Sequence, residues 1–221
     1  MVVINRYKYL IIICFFLFSF SISRVYASIS DLPLLGKVIY LDAGHGGVDA
    51  GAIVNNLKEK DTNLKLVMLL RDNLVSKGAM VYLTREGDYD LSNGAVSRKR
   101  NDLYNRAKMI NDSKADLYIS IHLNSTNDGR WRGLQIFYNS INKENKLFAE
   151  KVNEILVSNL SYVREIKNDN SYYMYKHIKV PGILIEAGFI SNASDNYLLR
   201  NKDYQDKLIN NIVYGIINYY S

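Results

Sequence analysis

Lys37–Gly51, KVIYLDAGHGGVDAG, is the stretch on which the reading of this chain turns. Its first half, Val38-Ile39-Tyr40-Leu41, is a short β-branched and aromatic run of the kind that makes a buried strand. Asp42-Ala43-Gly44-His45-Gly46-Gly47 then stops that strand abruptly. The glycines around His45 open backbone conformations that other residues avoid and leave the imidazole unshielded. A polar group at the carboxyl end of a sheet strand is where open α/β proteins carry their chemistry. By itself the stretch reads equally well as a tight turn with a surface histidine. It does not read as a phosphate loop, because no Gly-Lys-Ser/Thr follows and the G-x-G-x-x-G spacing is missing.

Upstream, Arg6 and Lys8 precede an apolar run, Leu10–Ser23, and Val25-Tyr26-Ala27 offers a cleavage site after Ala27. Residues 1–27 therefore read as an export signal, with an uncleaved membrane anchor as the alternative. The run falls short of the about 20 residues that a span needs. In either case the domain is expected outside the cytoplasmic membrane, touching it only through this segment if the segment is retained. Cys14 is the only cysteine and lies in the run, so the exported part has no disulfide and no thiol nucleophile. The formal charge of +6 includes Arg6, Lys8 and Arg24; residues 1–27 hold no acid, so the remainder carries +3. So weak a balance suits an anionic wall polymer. It gives no argument for nucleic acid, since no basic stripe or aromatic RNA motif accompanies it.

Residues 28–36 form a short link, and residues 37–221 read as one domain. After the strand Val38–Ala43 comes a glycine-rich loop reaching Asn56. A helix opens at Glu59-Lys60-Asp61-Thr62-Asn63, with Leu64, Val67, Met68 and Leu70 on one side, and closes at Lys77-Gly78. Further strands are predicted over Ala79–Thr84, Asp116–Leu123, Gly133–Tyr138 and Pro181–Glu186. Helices are predicted over Arg98–Asp112 (Leu103, Ala107 and Ile110 inward), Glu144–Asn159 (Leu147, Val152, Ile155, Leu156) and Asp203–Tyr220 (Leu208, Ile212, Val213, Ile216). Ser161–Lys179, rich in tyrosine and lysine, reads as largely loop. Apolar strands alternating with helices indicate a single α/β domain: a twisted, mostly parallel sheet with helices on both faces.

Three polar groups fall at or near strand ends: His45, His122 and Glu186. Glu59 begins the first helix of the domain. Gathered at one sheet edge, two imidazoles and two carboxylates suit a catalytic zinc site, with two histidines and one carboxylate as ligands and the second carboxylate as base. Each has a plainer reading. His122 can be a core histidine, Glu59 a first-turn acid on the helix dipole, Glu186 a turn cap. His177 is an alternative ligand to Glu59. Serine catalysis lacks its G-x-S-x-G elbow, and a glycosidase has no use for two strand-end histidines.

The ordered segments DAGHGG-VDAGA, LKEKD, VYLTREGD, ADLYISIHLN and PGILIEAGFISN resemble the zinc-dependent N-acetylmuramoyl-L-alanine amidases of the amidase_3 family, over nearly all of residues 37–220. LPLLGKVIYLDAGHGG, SRKRNDLYNR and YQDK are most similar to its germination-specific, spore-cortex branch in endospore-forming bacteria. The resemblance implies Zn2+ held by His45, Glu59 and His122, with Glu186 as the catalytic acid–base and peptidoglycan as substrate. It leaves His177 outside the site. It also implies a location in the wall or the forespore intermembrane space. Asn124 is a candidate to orient His122 or touch substrate, and Gly46 and Gly47 are expected to leave room for a glycan strand. Tyr172–Tyr175 offers either a substrate platform or packing against the sheet. Ala43 stands where the family commonly has proline, which alters loop stiffness and no ligand. Division-associated relatives carry a helical insertion over the metal, whereas only Ser125–Arg132 occupies that gap here, so an outside activator or expression timing would supply control. The competing functions are a zinc peptidase cutting within the stem peptide and a silent wall-binding module.

Overall fold

The computed structural model describes residues 8–20 and 31–221. The expected cleavage site after Ala27 lies outside the described residues. Residues 8–20 are helical (α1) with exposed side chains, and among the described residues no helix is long and apolar enough to cross a membrane.

The sheet is built of β1 (Val38–Ala43), β4 (Met80–Leu83), β5 (Leu117–Asn124), β6 (Gln135–Tyr138), β7 (Lys167–Asn168) and β8 (Gly182–Phe189), in the order β4-β1-β5-β8-β6-β7. β4, β1, β5 and β8 run parallel, and β6 is antiparallel to β8. Helices α2 (Glu59–Ser76), α3 (Arg98–Asp112), α4 (Glu144–Asn159), α5 (Ala193–Arg200) and α6 (Lys202–Tyr220) complete the domain. The single, mostly parallel α/β domain read from the sequence is therefore what the chain forms.

Strand side chains alternate between the faces, and here the two faces differ in kind. Ile39, Leu41, Ala43, Ile119, Ile121, Ile183 and Ile185 pack with α2, α4 and α6 in one aliphatic core. Each leucine or isoleucine among them, taken out of water, contributes roughly 1.5–3 kcal/mol. The other face starts apolar, with Tyr40, Tyr118 and Leu184 packed on Ala107 and Ile110 of α3. Toward the carboxyl ends of the strands it turns polar: Asp42, then Ser120 and His122, then Glu186. The parallel register sets Asp42 beside Ser120 and His122 beside Glu186. One apolar face and one graded face thus turn strand parity into a polar corner at one sheet edge.

Several helical faces are rotated from the expected ones. In α2 the buried stripe is Leu66, Val67, Leu70 and Leu74, with Thr62 and Asn63 buried at its head. In α4 it is Phe148, Ala149, Val152 and Leu156, while Leu147 is exposed. The buried side of α3 carries Asp102 and Arg106 beside Ala107 and Ile110. These shifts share a cause: the stripe is set by contact with the sheet and its polar corner, so polar residues can outrank leucines for the inner positions.

The glycine-rich loop also holds structure that pattern reading missed. Ile53–Val54 (β2) and Leu57–Lys58 (β3) form a hairpin. Asn55 and Asn56, at φ 50° and 62°, supply the left-handed pair that a type I′ turn requires. Ser161–Lys179 contains β7 and a 3-10 turn, Met174–Lys176. Asn192 caps α5 by accepting from the backbone N–H groups of Ser194 and Asp195.

Candidate active site

Four elements each bring one group. His45 follows β1, Glu59 is the first residue of α2 directly after the β2–β3 hairpin, His122 is on β5 and Glu186 on β8. Glu186 does not end its strand, as the sequence reading had it; β8 continues to Phe189. His122 pairs with Glu186 but Asn124 pairs with Phe189, so β8 carries one extra residue there. A bulge of this kind bends a strand and re-aims its side chains beside a site.

Glu59 is the hub. Its Oε1 lies 3.1 Å from His45 Nε2 and 3.1 Å from His122 Nδ1, and it accepts from the backbone N–H of Leu123 at 3.1 Å. Oε2 accepts from the backbone N–H of Ala52 at 2.9 Å. Burial would raise this carboxyl, but the hydrogen bonds to His122 and then His45 outweigh it and hold Glu59 well below the usual carboxylate range. The same contacts act on His45 in reverse: burial lowers it, and the bonds to Glu59 and Asp49 raise it on balance. One ligand atom from each of His45, Glu59 and His122 lies within 4.8 Å of the others. His45 Nδ1 is backed by Asp49 Oδ2 at 2.9 Å, the carboxylate-behind-imidazole arrangement typical of metal-holding histidines. This donor set suits a zinc-type ion. His177 is not in the cluster; its ring lies tilted at 41° against Tyr173, with ring centroids 4.4 Å apart.

The loop bearing His45 is held from below by two buried arginines that the sequence reading did not single out. Arg85 donates through Nε to Ala43 O and through Nη2 to Gly44 O and Lys60 O, at 2.9, 3.0 and 2.7 Å. Arg106 donates through Nη1 to Ala43 O and Asp42 Oδ1 and through Nη2 to His45 O, at 2.7, 2.8 and 2.7 Å. His45 has φ 63°, a conformation that costs a non-glycine residue of order 1–3 kcal/mol and needs such support. Asp42, fully buried, also accepts from Thr84 Oγ1 and Ser120 Oγ, at 2.8 and 2.5 Å. Burial pushes Asp42 up, and Arg106 with Ser120 brings it below its ordinary value. The one advance signal for these arginines is their place inside the VYLTREGD and SRKRNDLYNR segments.

Two glycines are needed for close approach. A Cβ on Gly44 would lie 2.2 Å from His122 Cε1, and one on Gly51 would lie 2.6 Å from Glu59 Oε2. Gly46 and Gly47 do not open onto free space as expected: a Cβ there would meet Tyr89 O at 2.3 Å and the Asp90 backbone nitrogen at 2.9 Å. Their role is to let the 86–97 loop pack against the His45 turn.

Glu186 Oε2 is buried and has no hydrogen-bond partner. Burial, with the nearby charge of Glu59 adding to it, raises this carboxyl to about 7 against the opposing pull of His122 and His45. A cavity of about 280 Å³ adjoins it, with His122, Asn124, Phe137, Asp169 and Tyr172 in its wall. Tyr172 OH lies 3.4 Å from His122 Nε2, whereas Tyr175 is buried and donates to Phe137 O. Both tyrosines pack on the sheet and border the cavity, with Tyr172 the one beside His122.

Hydrolysis of an unactivated bond needs a base poised near neutrality beside a group that can polarise the electrophile. A sheet edge offering both belongs to a hydrolase. The Amidase_3 family, N-acetylmuramoyl-L-alanine amidase, matches residues 39–218. The germination-specific N-acetylmuramoyl-L-alanine amidase of Bacillus subtilis (strain 168) is 44% identical over 196 residues, covering 86% of this chain and 83% of the relative. Among solved structures, the CwlD amidase from Clostridioides difficile in complex with the GerS lipoprotein matches with TM-score 0.78 at 36% identity, covering 83% of this chain and 98% of that one. The catalytic domain of CwlV from Bacillus (Paenibacillus) polymyxa var. colistinus matches with TM-score 0.73 at 28% identity, covering 83% and 97%. The chain belongs to the Amidase_3 family and is an N-acetylmuramoyl-L-alanine amidase.

Proposed function

We propose that the protein is a zinc amidase of the spore cortex, hydrolysing the amide between the lactyl group of N-acetylmuramic acid and L-alanine of the stem peptide. The observation that carries this reading is the convergence of His45 Nε2 and His122 Nδ1 on Glu59 Oε1, with Glu186 in register beside His122. His45, Glu59 and His122 would hold the ion; when bound, zinc supplies Lewis-acid polarisation of the carbonyl and makes a water more acidic. Glu186 takes the proton from the attacking water. It then hands that proton to the departing L-alanine nitrogen as the C–N bond breaks, so one residue serves as base and then as acid. The product amine and the free lactyl carboxylate account for every atom of the water. In a cortex setting this peptide removal is the first step toward muramic-δ-lactam.

The germination role rests on the likeness to the B. subtilis relative. A peptidoglycan substrate calls for action outside the cytoplasmic membrane, and residues 1–27 would carry the export to the wall or the forespore intermembrane space. Residues 125–134, between β5 and β6, contain no helix that could cover the site. Control would then come from outside; the C. difficile relative is in complex with a lipoprotein, and a partner of that class would suit this role.

Digestion of purified peptidoglycan with and without zinc, followed by mass spectrometry, tests the reaction. Stem peptides with a free L-alanine amino terminus, appearing only with metal, are expected; cuts inside the stem would replace the amidase reading with a peptidase. His45→Ala is expected to lose both bound zinc, by elemental analysis, and hydrolysis. Asp49→Ala removes the carboxylate behind His45, together with the acceptor of the Gly51 backbone N–H. It should weaken zinc binding by about 10- to 100-fold in a competitive chelator titration, and an unaltered affinity would refute that role for Asp49.

A further inference from the structure

Arg164 stands beside the site without an acidic partner. Its Nε donates to Gln135 Oε1 at 3.3 Å and its Nη1 to Arg132 O at 3.4 Å, both long bonds. Among the described residues no acceptor takes Nη2, and no carboxylate pairs with the guanidinium. Its neighbours differ: Arg130 is paired with Asp128 at 2.9 Å, and Arg132 lies over the Tyr162 ring at 3.6 Å and 3.8 Å from Asp195.

Two rings hold the half-buried Arg164 in place, Trp131 at 4.8 Å and Phe189 at 5.6 Å from the guanidinium carbon. Stacking restricts the side chain and leaves its N–H edge available for an oxyanion, the geometry in which arginine binds carboxylates best. Trp131 is itself 49% exposed, so this support is open to solvent.

Its position relates it to the reaction. Gln135, which Arg164 touches, is the direct cross-strand partner of Glu186, and neighbouring strands lie about 4.7–4.9 Å apart. Arg164 lies across β6 from the acid–base: its backbone N–H donates to Leu134 O, two strand spacings from β8, and its side chain reaches back over Gln135 and Phe189 toward Glu186. An extended peptide advances about 3.3–3.6 Å per residue, so a group on the second residue beyond the cut amide reaches roughly 7 Å from it. We propose that Arg164 is a carboxylate subsite, binding a free carboxylate carried by the stem peptide about two residues from the scissile bond. This rests on Glu186 marking the place of hydrolysis.

The test uses two synthetic muropeptides that differ only in whether the carboxylate on the second stem residue is free or amidated. The full-length wild-type protein with zinc is expected to prefer the free acid by about 10- to 100-fold in kcat/KM, the range of a charge-assisted hydrogen-bonded pair, with the difference carried by KM. In Arg164→Gln the value for the free acid should fall to that for the amide, and Arg164→Lys should keep part of the preference. Equal kcat/KM on the two substrates in the wild type overturns the subsite without touching the amidase reading, because the L-alanine amine is still released. So does a preference that survives in Arg164→Gln. Release from neither substrate would overturn the site at Glu186 and the subsite with it.

Discussion

Glu186→Gln is expected to retain zinc and lose turnover by about 10²- to 10⁴-fold, the usual contribution of a positioned acid–base. Glutamine keeps the shape of the side chain and the cavity wall but can neither accept the proton from water nor return it to the amine. In the wild type the carboxyl must be deprotonated to act, so activity should fall as pH drops through a midpoint at or below about 7. That acid limb should vanish from the residual rate of the variant. The same substitution should stabilise the metal-free protein. Folding raises this carboxyl from 4.5 to about 7, so the folded state binds the proton more tightly than the unfolded one. The resulting stability is present below pH 4.5 and is lost as pH rises toward 7, above which the folded protein carries a buried charge. Glutamine is neutral throughout, so its advantage should be under about 0.5 kcal/mol at pH 4.5 and about 3 kcal/mol at pH 8. Thermal melts at the two pH values, zinc analysis and product release check all three. Turnover within tenfold of the wild type would remove Glu186 from the chemistry.

Arg106→Ala should be the most destabilising single change around the site, at about 3–5 kcal/mol. Arg106 and Asp42 are 1% and 0% exposed at the side chain, with Nη1 and Oδ1 2.8 Å apart. Burial opposes the charge on Arg106, yet Asp42 and then Asp102 hold its pKa above the ordinary value. Removing the guanidinium leaves Asp42 buried without its cationic partner. For a domain of this size the melting temperature should fall by roughly 6–20 °C at neutral pH. Activity should fall further than the folded fraction does, because Arg106 also holds His45 O at 2.7 Å and so supports the strained φ of that residue. Pairing Arg106→Leu with Asp42→Asn should cost less than Arg106→Ala alone, since the fully buried Asp42 then carries no unpaired charge, while the loss at Asp102 is common to both variants. A shift below about 2 °C in Arg106→Ala would show that the pair is not supporting the fold.

Much of this arrangement is written locally. β1 was legible because β-branched and aromatic residues run straight into a glycine-rich stop. β5 and β8 were legible as near-continuous apolar runs, the mark of strands covered on both faces. His45, His122 and Glu186 stood out because each interrupts or follows such a run. The α6 stripe, Leu208, Ile212, Val213 and Ile216, is buried as its spacing predicts. Elsewhere local pattern misled. Leu147 fits an apolar stripe and is exposed, while Arg106 and Asp102 look like the solvent side of a charged helix and lie inside.

What the sequence determined by itself was the alternation of strands and helices and the chemical inventory at the strand ends, because both depend on neighbours along the chain. Tertiary structure alone decided which partners those groups meet. Glu59 becomes the hub only because a two-asparagine hairpin returns the chain to β1 and β5, and Glu186 meets the histidines only because the parallel register of β8 on β5 sets it beside His122. Arg85 and Arg106 are buried because the backbone carbonyls of Ala43, Gly44 and His45, and Asp42 beneath them, accept their N–H groups at the sheet edge. That demand arises from a loop some forty to sixty residues away from either arginine, and no periodicity within their own segments can announce it.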